Sequence, residues 1–289
     1  MKQLVRRVRA VPALNTPTTA LVRAMIRNRG GTDEWVINHL PRSGRVTARL
    51  PNGGKMVLWS HADEWTANQI YWRGWGGVDP ETTPAFFEAA TNAGVVLDVG
   101  ANVGFYAITA ALANPSGQVV AFEPLPKAHA RLVRNVALSA ARNVRCELLA
   151  LGRVDGTAPL FHVEMNSIPM ASTLDTSFLD AYPRVATEPV RVMRGDEYVR
   201  LHRLDRVDLI KLDTECTEPD VLLGLAETVA DHRPRIFCEV LPGQGVESRL
   251  ESILSPLGYK YIHLSRTGRH PRPAISGDAV DRNWLFEPQ

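Results

Sequence analysis

Val95–Gly104 reads VVLDVGANVG, and this stretch decides the fold. Val95, Val96 and Leu97 form the continuous apolar run of a strand buried on both faces. Gly100 and Gly104 follow, marking a tight turn where bare backbone approaches whatever lies over the strand end. Phe105–Ala113 is rich in alanine and apolar residues, so the chain leaves the turn as a helix. Strand, glycine turn and helix together make the ligand-cradling corner of an open α/β sheet.

Two cofactor classes use such a corner, and the details separate them. A dinucleotide fingerprint needs glycines spaced G-x-G-x-x-G, with a helix N-terminus facing a pyrophosphate. Here Asn102 stands at the middle position, and Gly104 follows two residues on rather than three. Asp98 ends the strand two residues before the first glycine. A carboxylate there repels a pyrophosphate but pairs with the ammonium of an amino-acid group. S-adenosylmethionine carries that ammonium and no phosphate, so it is the expected cofactor. Glu123 ends the next expected strand, Gln118–Phe122, and suits both hydroxyls of a ribose. Dinucleotide enzymes place an acid there too, so Glu123 alone does not discriminate.

Downstream, the alternation of strand and helix continues. Asn143–Ala150 reads as the third strand, with Ala150, Leu151 and Gly152 at its end, where small residues can border an adenine. Thr157–Val192 breaks the rhythm and reads as an antiparallel excursion or flap. Val207–Leu212 is the fourth strand, Pro219–Thr228 a helix and Arg235–Val240 the fifth strand. Tyr259–Leu264 and Trp284–Phe286 form a closing pair. Upstream, Arg45–Leu50 and Lys55–Trp59 flank Pro51-Asn52-Gly53-Gly54, a hairpin signal. Trp65, Tyr71, Trp72 and Trp75 follow among glycines. They are either a lid or the seam between the N-terminal piece and the sheet, and the seam is favoured because large aromatics carry packing area. Residues 1–78 are thus expected to form an N-terminal extension, and residues 79–289 the main domain.

Composition bounds the partners. The chain has 289 residues, 45% hydrophobic and 22% charged, as in an ordinary globular protein. A formal net charge of +2 makes no demand for a polyanion, so nucleic acid is not expected. No apolar run reaches the length of a membrane span. Three cysteines without framework spacing point to a reducing cytoplasm. Lys2, Arg6, Arg7, Arg9, Arg23, Arg27 and Arg29 all precede the first acidic residue, Asp33. Leu4, Val5, Val8 and Val11 recur at helical spacing among them, so the start reads as a basic amphipathic helix. It is a candidate for docking on an anionic membrane or acidic carrier, with a solvated tail the favoured alternative. The aromatic N-terminal piece is a candidate homodimer interface.

Four ordered motifs extend the reading: DVGANVGFYA at Asp98–Ala107, AFEPLP at Ala121–Pro126, IKLDTE at Ile210–Glu215 and CEV at Cys238–Val240. From about Asp79 to the C-terminus the chain resembles the FkbM-like methyltransferases. The resemblance implies a Rossmann-like class I α/β fold: a seven-stranded, mostly parallel sheet with an antiparallel last strand. It implies O-methylation of a sugar, glycolipid or natural product, with a small-molecule or glycan acceptor. The Asp98–Gly104 loop would then hold the methionine part of S-adenosylmethionine and Glu123 its ribose. The expected cofactor-binding set is Asp98, Gly100, Ala101, Asn102, Gly104, Glu123, Pro124, Leu125, Ala150, Leu151 and Asp213. The family usually places Gly and Ala where this chain has Cys216 and Thr217, and Thr-Leu-Asp where it has Arg194-Gly195-Asp196. Cys216 is expected to project beside the methyl and narrow the acceptor pocket. A nucleophilic Cys216 is disfavoured, since methyl transfer needs no covalent enzyme intermediate.

Transfer to a hydroxyl needs acceptor oxygen, methyl carbon and sulfur in line, and a base for the proton. Asp213, Glu215 and Glu239 converge from adjacent strand ends and are the expected catalytic set. Each has a plainer alternative role: Asp213 on the cofactor, Glu215 bracing the loop, Glu239 capping a helix. The same three suit a hard cation, but no D-x-D or His-rich signature accompanies them, so no obligatory metal is expected. His61, His162 and His263 are alternative bases. Two other function classes stay open. A dinucleotide oxidoreductase is disfavoured by Asp98, and a non-catalytic cofactor-binding or scaffold protein is motivated by Cys216 and the basic N-terminus. No residue pattern identifies the acceptor.

Overall fold

In a computed structural model, which describes residues 11–26, 34–163, 168, 172–175 and 185–289, the VVLDV run is a central strand of an eight-stranded sheet. Helices α1 (Pro12–Ile26) and α2 (Glu34–His39) lead into a hairpin of β1 (Ser43–Arg49) and β2 (Lys55–His61), then α3 (Trp65–Arg73) and α4 (Thr83–Ala90). The alternating part follows: β3 (Val95–Val99), α5 (Phe105–Ala113), β4 (Gln118–Phe122), α6 (Pro126–Leu138) and β5 (Val144–Glu147). Next come β6 (Ala150–Gly152), β7 (Gly156–Val163), β8 (Ser172–Thr173), β9 (Val185–Arg194) and α7 (Gly195–Leu201). The chain closes with β10 (Leu209–Leu212), α8 (Glu218–Gly224), α9 (Ala226–His232), β11 (Arg235–Glu239), α10 (Val246–Leu254), β12 (Tyr259–Ser265), β13 (Gly268–Arg272) and β14 (Asn283–Pro288).

The main sheet runs β13-β12-β14-β11-β10-β3-β4-β5. Its five strands from β5 to β11 pair in parallel, and β14 is antiparallel to both of its neighbours. That is the expected seven-stranded arrangement plus one strand, because β12 turns back at Ser265–Gly268 and pairs antiparallel with β13. Side chains alternate between two faces. Val96, Val119, Ala121, Leu209 and Phe237 pack into one cluster, while Leu97, Val120, Phe122, Ile210 and Ile236 pack into another. Both faces are covered, which is why these strands read as unbroken apolar runs.

The first face is covered by α5 together with the N-terminal segment: Ile37, Val46, Met56, Leu58, Ile70, Trp72 and Trp75 share one cluster with α5. Trp72 and Trp75 bury their rings and donate their indole N–H groups to the Leu40 carbonyl at 3.1 Å and the Thr109 hydroxyl at 3.2 Å. Tyr71, Trp72 and Trp75 form the seam, whereas Trp65 is exposed. The hairpin signal at Pro51–Gly54 is realised, with Arg49 opposite Lys55. The expected basic helix at residues 1–10 lies outside the described residues; Arg23, in α1, stacks over the Tyr71 ring at 4.8 Å. No helix among the described residues is long and apolar enough to cross a membrane.

Two expected boundaries move. The third strand ends at Glu147, and Ala150–Gly152 leaves it for a second sheet of order β6-β9-β7-β8, in which β7 and β9 pair antiparallel over their length. The excursion over Thr157–Val192 is therefore a sheet of its own, and β6 belongs to it. The helix read over Pro219–Thr228 is two helices, broken at Leu225. Gly224 sits so close to the Gly152 carbonyl that a Cβ would lie 2.0 Å from its oxygen, so α8 is pressed end-on against β6.

Candidate active site

The carboxyl ends of β3, β4 and β10 open onto two adjoining cavities, as an open α/β sheet places its ligands. The smaller is lined by Val99, Phe122, Glu123, Pro124, Leu149, Ala150 and Leu151, with Leu160 and Ser172–Leu174 from the second sheet. The larger, of about 530 Å³, is lined by Asp98, Ala101, Tyr106, Asp79, Glu81 and Glu239, with Glu64, Trp65 and Arg73 around α3 and Arg266 and Arg282 near the C-terminus. Gly100, Asn102, Asp213 and Glu215 line both. These four residues form the shared boundary of the two cavities.

Glu123 is buried, and each of its oxygens accepts one backbone N–H, from Asn102 at 2.8 Å and from Leu125 at 2.8 Å. Each oxygen keeps further acceptor capacity. Burial raises the Glu123 carboxyl to about 7 in spite of these two bonds. Asp98 is equally buried, and burial pushes it up to about 7 against the pull of the Lys211 ammonium. Among the described residues its Oδ2 has no hydrogen-bond partner, although it is buried and Asp98 borders the larger cavity. An orphaned buried carboxylate oxygen beside a cavity is a group awaiting a donor.

Lys211 explains how so many carboxylates tolerate one another. Parallel pairing sets Lys211 directly beside Asp98, so both emerge on the same face of the sheet. Its ammonium is 1% exposed, 3.2 Å from Asp213 Oδ2 and 5.0 Å from the centre of the Tyr106 ring. Burial alone would lower its pKa, but Asp213, Glu239, Asp79 and Asp98 together raise it. Tyr106 in turn donates its hydroxyl to Asp79 Oδ2 at 2.8 Å. Burial and the Asp79 charge hold the Tyr106 phenol well above its usual range, so it stays a donor.

Past β10 the chain turns sharply. Glu215 and Cys216 have φ of 53° and 80°, in the left-handed region that disfavours side chains with a Cβ. Glu218 clamps one side of the turn, accepting from the Thr214 N–H at 2.9 Å and the Thr214 hydroxyl at 3.0 Å. Asp213, Glu215 and Glu239 each bring one carboxylate oxygen within 4.8 Å of the others, close enough to share a cation. Burial, with Asp213 and Glu218 nearby, lifts Glu215 to about 8. Glu239 is pushed well above the carboxylate range by burial and by Asp213 and Glu215, although Arg282 approaches it at 3.7 Å.

The structure thus brings together the expected Asp98, Gly100, Ala101, Asn102, Glu123, Pro124, Ala150, Leu151, Asp213, Glu215 and Glu239 around the two cavities. Gly104 and Leu125 line neither. Gly104 starts α5 with φ of 92°, and a Cβ there would meet Leu132 Cδ1 at 2.5 Å, so its bareness serves packing under the helix. At Gly100, too, the close neighbour is protein: a Cβ would lie 1.9 Å from the Asp213 carbonyl oxygen. The glycine lets the end of β10 cross the β3 turn.

Cys216 does not project toward an acceptor. It is buried in the core cluster with Leu212 and Val221, and burial raises its thiol to about 12, so it is neither a pocket wall nor a nucleophile. Thr217 borders the smaller cavity instead. The positive φ at Cys216 is one that glycine adopts without strain. Asp196 caps α9, accepting from the Thr228 N–H at 2.9 Å and the Glu227 N–H at 3.1 Å. His61, His162 and His263 line neither cavity; His263 is 2.6 Å from the Asp281 carbonyl.

Sequence reading missed Lys211, Asp79, Tyr106 and Glu218. A lysine inside an apolar strand was the available signal for Lys211, since a buried charge needs partners. Asp79 and Tyr106 are far apart in sequence and gave none.

The methyltransferase FkbM domain family matches residues 98–261, more than half of the chain. Methyltransferase 1 of Beauveria bassiana is 27% identical over 177 residues, spanning 57% of this chain and 71% of that protein. Methyltransferase sdnD of Sordaria araneosa is 26% identical over 190 residues, spanning 57% of this chain and 73% of that protein. The crystal structure of methyltransferase FkbM from Methylobacillus flagellatus superposes with a TM-score of 0.45 at 16% identity, covering 78% of this chain and 55% of that one. The dinucleotide oxidoreductase reading falls away. The match takes in the glycine turn, Asp98, Glu123 and the β10 turn, and this chain belongs to the FkbM methyltransferase domain family.

Proposed function

We propose that this chain transfers a methyl group from S-adenosylmethionine to a hydroxyl of a sugar, glycolipid or natural product. The observation that carries the reading is the meeting of the two cavities at Asp213 and Glu215. The cofactor, when bound, supplies an electrophilic methyl on a sulfonium sulfur. Glu123, with acceptor capacity to spare, takes the ribose hydroxyls, and the orphaned Oδ2 of Asp98 takes the ammonium. Leu149, Leu151 and Leu160 offer the apolar wall that an adenine needs.

The larger cavity receives the acceptor. Its carboxylates outnumber its arginines, which favours a neutral polyol over a polyanion such as nucleic acid. Of the three convergent acids, Glu215 suits the base. Lys211 engages Asp213 and Arg282 lies 3.7 Å from Glu239, while Glu215, at the junction of the two cavities, is raised to about 8 by burial, a basicity suited to a hydroxyl proton. Glu215 accepts the hydroxyl proton as the acceptor oxygen attacks. Lys211 and Arg282 already supply positive charge beside Asp213 and Glu239, so turnover without a bound metal is the expectation.

Calorimetry with S-adenosylhomocysteine tests the cofactor site. Binding is expected, and Asp98→Asn weakens it by about 1.5–3 kcal/mol, roughly ten- to hundredfold. Absence of binding by the parent chain overturns the reading. Labelled-methyl transfer to a panel of glycosides, run with and without chelator, tests the reaction. Transfer that chelator abolishes and magnesium restores would overturn the metal-free expectation.

A further inference from the structure

We propose that Thr173 is a positioning residue that latches the Glu215 turn to the second sheet and thereby couples occupancy of the cofactor cavity to the setting of the base. The proposal rests on the reading of Glu215 as base and of the smaller cavity as the cofactor's. Two consecutive non-glycine residues at positive φ, Glu215 and Cys216, persist only where the surroundings hold them. Glu218 holds the turn at Thr214, on the side before Glu215. On the Glu215 peptide itself the hold comes from Thr173, whose hydroxyl donates to the Glu215 carbonyl at 2.6 Å.

Thr173 is well placed for this. It is 1% exposed, and its Oγ1 also accepts the Asp175 N–H at 3.0 Å, which aims the hydroxyl proton at Glu215. It ends β8, pairing with Phe161 of β7. Ser172, Thr173 and Leu174 form one wall of the smaller cavity, while Glu215 lines both cavities. One short strand therefore touches the cofactor's space and fixes the carbonyl of the base. A molecule filling the smaller cavity packs against β8, restrains Thr173 and so restrains the Glu215 peptide. The base is then held more firmly in its reacting direction when the cofactor is in place.

Amide hydrogen exchange at Cys216 and Thr217, with and without S-adenosylhomocysteine, tests the latch without needing the acceptor. In the parent chain and in Thr173→Ser, the ligand is expected to slow exchange of these amides at least about tenfold. Thr173→Val keeps the β-branched shape but has no donor. At saturating S-adenosylhomocysteine it is expected to lose that protection. Unchanged exchange in the parent chain on ligand binding overturns the latch, as does full protection in Thr173→Val. If Thr173→Val fails to fold, as read by circular dichroism, Thr173→Ala takes its place, and the parent-chain result decides by itself. Failure of the parent chain to bind S-adenosylhomocysteine sinks the cofactor reading instead. Full transfer activity in Glu215→Gln sinks the base reading and leaves the exchange result standing.

Discussion

Glu215→Gln lowers labelled-methyl transfer by about 10²–10⁴-fold while leaving S-adenosylhomocysteine affinity within about threefold, the loss expected when a general base is replaced by its neutral isostere. Glutamine keeps the size and the backbone strain of the turn, so the change isolates the proton acceptor. The pH profile carries a second signature. Because Glu215 is raised to about 8, by burial first and by Asp213 and Glu218 next, its basic form grows as pH rises through that value. Turnover in the parent chain accordingly climbs from pH 6 to a plateau above about pH 9, and that limb vanishes in Glu215→Gln. A variant with parental turnover and an unaltered limb would move the base to another group.

Lys211→Met destabilises the folded chain by about 3–5 kcal/mol, the usual cost of stripping one partner from a buried ion pair. Asp213 is 35% exposed, so the low end of that range is favoured for this pair, with Glu239, Asp79 and Asp98 adding their share. The loss depends on pH with a definite sign. Lys211 has its pKa raised on folding, so its stabilisation is fully present below the ordinary lysine value and constant between pH 5 and 9. Asp98, Asp79 and Glu239 are also raised, so each destabilises the native state increasingly as pH climbs above its unfolded value. Without the ammonium this penalty deepens, and the deficit of Lys211→Met is larger at pH 8 than at pH 5. Chemical denaturation at the two pH values reads it. A deficit that is equal at both would show that packing, rather than charge, is what Lys211 supplies.

Legibility differed residue by residue, for physical reasons. Asp98 and Glu123 were readable because each stands at the end of an apolar run next to a turn, and the end of a parallel strand is where ligands sit. Gly100 was readable as a close approach, but its neighbour, the Asp213 carbonyl, lies on another strand. Ala150 was placed at the end of the third strand because local apolarity cannot choose a partner; pairing with Val192 draws it into the second sheet. Cys216 looked like a pocket residue because its position in the motif was known and its φ was not. At 80° the backbone turns its side chain into the core.

By itself the sequence determined the alternation of strand and helix, the two strand-end acids and the order of four motifs, all of which are encoded within short windows. Tertiary structure alone decided which charges meet. Parallel register set Lys211 beside Asp98, the turn before α4 brought Asp79 to Tyr106, and the second sheet carried Thr173 to the carbonyl of Glu215. Such meetings join residues tens to more than a hundred positions apart. They depend on register and packing, quantities that a local pattern of apolar and polar residues does not contain.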